Sequence, residues 1–95
     1  FCSAAKGEKS PQQVNYEKAA GKDAIVAGMK AAEAYCATAY ELSHDRAETK
    51  IDFFGQNGTV NWVLAWNAVH NGEHYGNLVT YLRLKGLVPP SSQGN

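Results

Sequence analysis

From Val60 to Lys85 apolar residues recur so often that no side of the pattern is purely polar. Leu64, Val69, Leu78, Val79 and Leu82 point in several directions around a helical wheel. The run predicts one long helix, about 39 Å at 1.5 Å per residue. Thr59 suits its N-cap, Gly86 its C-terminal stop, and Pro89-Pro90 prevents resumption. A helix apolar nearly all round is central to a fold or lies at a subunit interface.

A second periodic stretch runs from Lys22 to His44. Ile25, Met29, Ala32, Cys36, Ala39 and Tyr40 fall on one helical face. Asp23 in the first turn and His44 near the last suit the helix dipole. His44 reads as an exposed terminal histidine, and Met29 and the tyrosines as core. Outside these helices the pattern is weaker. Residues 1–6 are compatible with the end of a helix stopped at Lys6-Gly7, and Ser10-Pro11 breaks a polar loop. Residues 14–20 read as connection. Residues 45–59 form a further connection, docked by Ile51, Phe53 and Phe54, with a turn at Gln56-Asn57-Gly58; a short hairpin there is open, but the sequence after it is too long and too helical for a strand. The tail SSQGN is expected to be mobile. The fold class predicted is all-α.

The 95 residues suit one domain, and 44% apolar content is ordinary for a globular chain. Nine basic and nine acidic side chains give zero formal charge, which argues against a dedicated nucleic-acid binder. No apolar run approaches membrane-spanning length, so no membrane partner is expected, and no signal peptide is visible. The chain opens at Phe1 without an initiator methionine, so a preceding segment is expected. Cys2 and Cys36 match no zinc spacing. Two readings stand for them. They are buried free thiols in a reducing, cytoplasmic setting, or a disulfide tying the N-terminal segment to the second helix in an oxidising compartment such as a periplasm.

The long helix carries the candidate chemistry in HNGEH, residues 70–74. His70 and His74 lie about 40° apart on the wheel, with Val63, Trp66, Asn77 and Tyr81 within about 40° of His70 and Asn67 just beyond. Histidines at i and i+4 can aim two imidazole nitrogens at one cation. The alternative is hydrogen-bonded structural histidines. Glu73 lies about 60° off the His70 direction, and reads as a rim residue before a second-shell acceptor. Gly72 and Gly76, on the opposite side, would let another backbone pack closely.

The stretch NAVHNGEHYGNLVTYLRLKGLVPPSS, residues 67–92, resembles the last helix of the DinB-like superfamily, the bacterial DNA-damage-inducible metal-binding four-helix bundles. The matching elements are His70 and His74, Tyr75-Gly76-Asn77, Tyr81-Leu82-Arg83, and Gly86 followed by Pro89-Pro90. FCSAAKGE resembles the end of that family's second helix and KDAIVAGMKAAEAYCATAY its third. The resemblance implies an up-down-down-up four-helix bundle, with the first helix and most of the second missing from this chain. It implies a single partial domain over residues 1–95, with helices at about 22–44 and 60–85 and a tail from 87. It implies a divalent metal (zinc, nickel, iron or manganese) on three histidines. Two match His70 and His74; the third falls before Phe1. Trp66, Asn67, Asn77 and Tyr81 would line the pocket, and no catalytic residue is assigned. The implied activity is a metal-dependent thiol S-transferase using a low-molecular-weight thiol. The competing expectation is a non-catalytic helical dimerisation or metal-binding module with structural histidines. Either way a homodimer or a complementing N-terminal segment is expected to cover the apolar surface.

Overall fold

The computed structural model describes residues 1–94, and the chain is mostly helical with one small sheet. In chain order the elements are α1 (Cys2–Lys6), α2 (Lys22–Ala39), α3 (His44–Ala47), β1 (Lys50–Phe53), β2 (Gln56–Thr59) and α4 (Val60–Leu84), with single 3-10 turns at Tyr16–Lys18 and Pro90–Ser92. Two compact units divide the chain, Phe1–Ala65 and Trp66–Asn95, the division falling within α4.

The first unit is built around a small core. Cys2, Ala5, Ala39, Val60 and Leu64 are buried together, with Tyr35, Cys36, Leu42 and Ile51 packed against them. A five-residue helix cannot hold itself against chain entropy, and α1 is fixed from outside. Cys2 forms a disulfide with Cys36 of α2. Lys6 Nζ donates to Thr38 Oγ1 at 3.0 Å, and Tyr35 Oη donates to Glu8 Oε2 at 3.0 Å. Gly7 closes α1, and the Arg46 guanidinium of α3 donates twice to the Ala5 carbonyl, at 3.1 and 2.7 Å. That carbonyl is one of those a helix end leaves without an intrahelical donor.

Helix α2 ends earlier than its periodicity suggests. It stops at Ala39, and His44 begins the separate helix α3. The reason is local: the Ser43 side chain accepts from the Arg46 N–H at 3.2 Å, an N-cap that starts a new helix, and Asp45 lies in its first turn. The apolar stripe of α2 is only partly covered. Cys36 and Ala39 belong to the core, whereas Ile25 and Met29 are exposed. Near its middle, the Tyr16 ring lies directly over Gly28.

The connection after α3 contains a β-hairpin, so the chain is mostly helical with one small sheet. Its turn is also not where Asn57-Gly58 suggests. Strands β1 and β2 pair antiparallel with Ile51 opposite Gly58 and Phe53 opposite Gln56, which places Phe54-Gly55 at the turn. Both turn residues have positive φ, 52° and 75°, the conformation that continues strand twist through a two-residue loop. Gly55 N–H donates to Asp52 Oδ1 at 3.3 Å. This register keeps Phe53 buried against Phe1, with ring centroids 5.1 Å apart, and leaves Phe54 outside. It also lets β2 run directly into α4. Thr59 closes the strand and caps the helix, its Oγ1 accepting from Trp62 N–H at 3.1 Å.

The second unit is the rest of α4 and the tail. The helix ends as its sequence predicts. Leu87 N–H donates to Leu82 O and Gly86 N–H to Arg83 O, with Gly86 at φ 71°. That double bond pattern needs a left-handed residue, which glycine adopts without a Cβ penalty. The tail, expected to be mobile, is tied back. Pro89 is buried, Ser91 N–H donates to Tyr75 Oη at 3.0 Å, and Arg83 Nη2 donates to Ser92 Oγ at 3.3 Å.

The clasp makes a pH prediction. Ser91, through its side chain and its backbone N–H, stabilises the phenolate, and with Arg83 lowers the Tyr75 pKa from 10.0 against a smaller opposing effect of desolvation. Tyr75 binds its proton less tightly when the tail is docked. Its contribution is therefore fully present above the ordinary phenol pKa and lost as pH falls through the lowered one. The Tyr75 ring signal, followed by NMR, is expected to titrate at lower pH in the native chain than in Ser91→Pro.

Candidate functional site

The predicted histidine pair forms on an uninterrupted helix. His70 Nε2 and His74 Nε2 lie 3.0 Å apart, with ring centroids at 4.4 Å and planes at 89°. One helical turn separates the residues, so a regular helix alone brings the imidazoles together. His70 is half-buried and His74 exposed, so a solute can reach the nitrogens. Glu73 Oε2 is 3.9 Å from His70 Nδ1, and its side chain is 72% exposed. That is beyond hydrogen-bond length. Glu73 therefore sits at the rim, facing the ring nitrogen that does not meet His74.

The surrounding residues divide by burial. Asn67 is buried, Trp66 and His70 are half-buried, and Asn77 and Tyr81 are exposed. Asn67, one turn before the pair, is the buried polar side chain of α4. The six predicted site residues thus share one helix face, closed near Asn67 and open beyond His74. Leu78, Tyr81 and Leu84 are 58%, 68% and 76% exposed. The side of α4 bearing Tyr75 and Arg83 carries the tail. On the wheel those residues lie about 140° either side of His70. The chain's own tail therefore covers the helix away from the histidines.

Two imidazole nitrogens fit a shared cation. Bonds of roughly 2.0–2.1 Å to one ion span such a gap when they meet near a right angle. A small opening of the rotamers reaches the wider tetrahedral separation. Two ligands are a half-site, since zinc-type centres use three or four protein donors. No group of three His, Cys, Asp or Glu side chains suited to a metal occurs among the described residues. His44, exposed at the start of α3, belongs to the other unit. The glycines expected to admit a close backbone stand in open space: a Cβ on Gly72 or Gly76 would meet nothing within 4 Å.

No helix among the described residues is long and apolar enough to cross a membrane. Comparison with protein-family models, curated proteins and solved structures returned no match.

Proposed function

We propose that His70 and His74 are two ligands of a divalent-metal site in a DinB-like helical protein, and that this site serves a thiol S-transferase type of reaction. The observation that carries the reading is the 3.0 Å approach of the two Nε2 atoms on an accessible helix face. Zinc, nickel, iron or manganese would suit imidazole donors. The remaining protein ligand comes from whatever covers the face, a second copy or a complementing helical segment. The exposed Leu78, Tyr81 and Leu84 beside the histidines give that element an apolar seat.

Such a metal, when bound, lowers the pKa of a thiol or water so that a nucleophile forms near neutral pH. The chain's own residues have simpler tasks. The imidazoles hold the ion as neutral ligands. Asn77 and Tyr81, on the same face and open to solvent, offer an amide and a hydroxyl to orient a polar substrate. Trp66 and buried Asn67 set the floor of the face.

One feature favours a second reading. A 3.0 Å Nε2–Nε2 contact is also a hydrogen bond when one ring donates and the other accepts. In that reading the pair is structural, and the chain is a non-catalytic helical dimerisation or metal-binding module. Calorimetric titration of the chelator-treated chain with zinc, nickel or manganese separates metal-holding histidines from purely structural ones. Saturable binding that His74→Ala removes supports the metal site. No binding at millimolar ion, by the chain alone or in any complex it purifies with, would sink it.

The glycines test the covering element. Gly72→Ala and Gly76→Ala are expected to stabilise the isolated chain by up to about 1 kcal/mol each, because alanine is the better helix former and nothing lies against them. If a partner backbone packs there, the same changes will weaken association measured by analytical ultracentrifugation.

A further inference from the structure

The Cys2–Cys36 bond carries an inference independent of the histidines. We infer that this chain is a client of thiol oxidation: a disulfide-bearing oxidant completes its first unit, in a compartment where such oxidants act.

The disulfide is part of the core. Cys2 is 4% exposed and packs with Ala5, Ala39, Val60 and Leu64. It joins positions 34 apart in sequence, and residues 7–18 between them are exposed throughout. That intervening loop supplies no buried residue to bring α1 back to α2. The other ties of α1 are polar: Lys6 to Thr38, Glu8 to Tyr35, and Arg46 to the Ala5 carbonyl. The first two of these ties meet their partners in exposed positions, where such contacts hold weakly. The covalent bond is what makes the docking of so short a helix permanent.

The chemistry is a two-step exchange. One cysteine thiolate attacks the oxidant's disulfide, forming a mixed disulfide and releasing the oxidant's other sulfur as a thiol. The second cysteine thiolate then attacks the protein-side sulfur and expels the oxidant. Two electrons pass to the oxidant, and the two protons leave the cysteines for its new dithiol. Cys2 and Cys36 are the two cysteines of these 95 residues, and they pair with each other. Disulfides of this kind persist in secreted and periplasmic settings and are rare where glutathione keeps thiols reduced.

The test expresses the full chain in two ways, retained in a reducing cytoplasm and exported to an oxidising compartment. Each sample is alkylated under denaturing conditions and weighed intact. The exported chain is expected to take up no alkyl group and to weigh two hydrogens less than the reduced chain. The retained chain should take up two alkyl groups. Reductant added to the exported chain should lower its melting midpoint to that of the retained chain. The double variant Cys2→Ser, Cys36→Ser should melt with the reduced forms or fail to fold. Two alkyl groups on the exported chain, or melting indifferent to reductant, would overturn the inference.

Discussion

Reducing the Cys2–Cys36 bond is expected to lower the stability of the first unit by about 4 kcal/mol. The size follows from the loop the bond closes. Positions 34 apart lose that much conformational freedom in the unfolded chain when they are tied, on the loop-entropy account. Whole domains are stable by only about 5–15 kcal/mol, so the loss is a large fraction of what this unit has. Its core offers little in reserve: alanines and cysteines make up more than half of the five residues buried together. Loss of the bond should first release α1 and expose Phe53, because Phe1 packs against that ring and leaves with the helix. Urea unfolding of the oxidised and reduced chain, followed by the fluorescence of Trp62 and Trp66 and by far-UV circular dichroism, measures the effect. A difference below about 1 kcal/mol, within the range of exposed polar contacts, would mean that Arg46 and the Lys6–Glu8–Tyr35–Thr38 group hold α1 unaided.

The contrast between what could be read from the sequence and what could not follows from interaction range. Helix α4 was legible to within a residue at both ends, because its signals are local. Thr59 bonds three residues ahead, and Gly86 adopts the left-handed conformation that ends the helix. The histidine pair was legible for the same reason, since one turn of helix fixes it. The hairpin turn was not. Asn57-Gly58 is a better turn sequence than Phe54-Gly55, yet the latter is used. The demands that decide it are Phe53 docking on Phe1 and β2 feeding Thr59 into its capping position, and both are relations between elements. The early end of α2 belongs between these cases. Ser43 caps a new helix at His44, and the apolar period through Tyr40 carries no mark of that break. The tail clasp on Tyr75 left no signal that separates a docked SSQG from a free one.

The exposed stripes connect fold to function. Ile25 and Met29 on α2, and Leu78, Tyr81 and Leu84 on α4, continue helical apolar patterns past the point where this chain covers them. In the DinB-like bundle we propose, further helices would cover those positions. In that proposal the chemistry is shared in the same way, since a stable metal centre on two imidazoles needs at least one more donor.

The substitution His70→Ala is expected to weaken metal binding by at least about 100-fold, because losing a ligand costs more than the 10–100-fold typical of a lost second-shell contact. Its effect on the metal-free chain is the sharper discriminator. Alanine is the stronger helix former by a few tenths of a kcal/mol. The Nε2–Nε2 hydrogen bond it removes is exposed, and such a bond contributes about 0.5–1.5 kcal/mol at most. At the low end of that range the two nearly cancel, so a pair retained for metal predicts a melting midpoint within a degree or two of the parent once the ion is stripped. Restoring the ion should raise the parent's midpoint and leave the variant's unchanged, since only the parent's native state binds it well. A structural pair predicts the reverse, with His70→Ala clearly destabilised in the presence of chelator and the ion making no difference to either protein. Running His74→Ala beside it guards against a change peculiar to one ring, because a chelating pair must lose binding from either side.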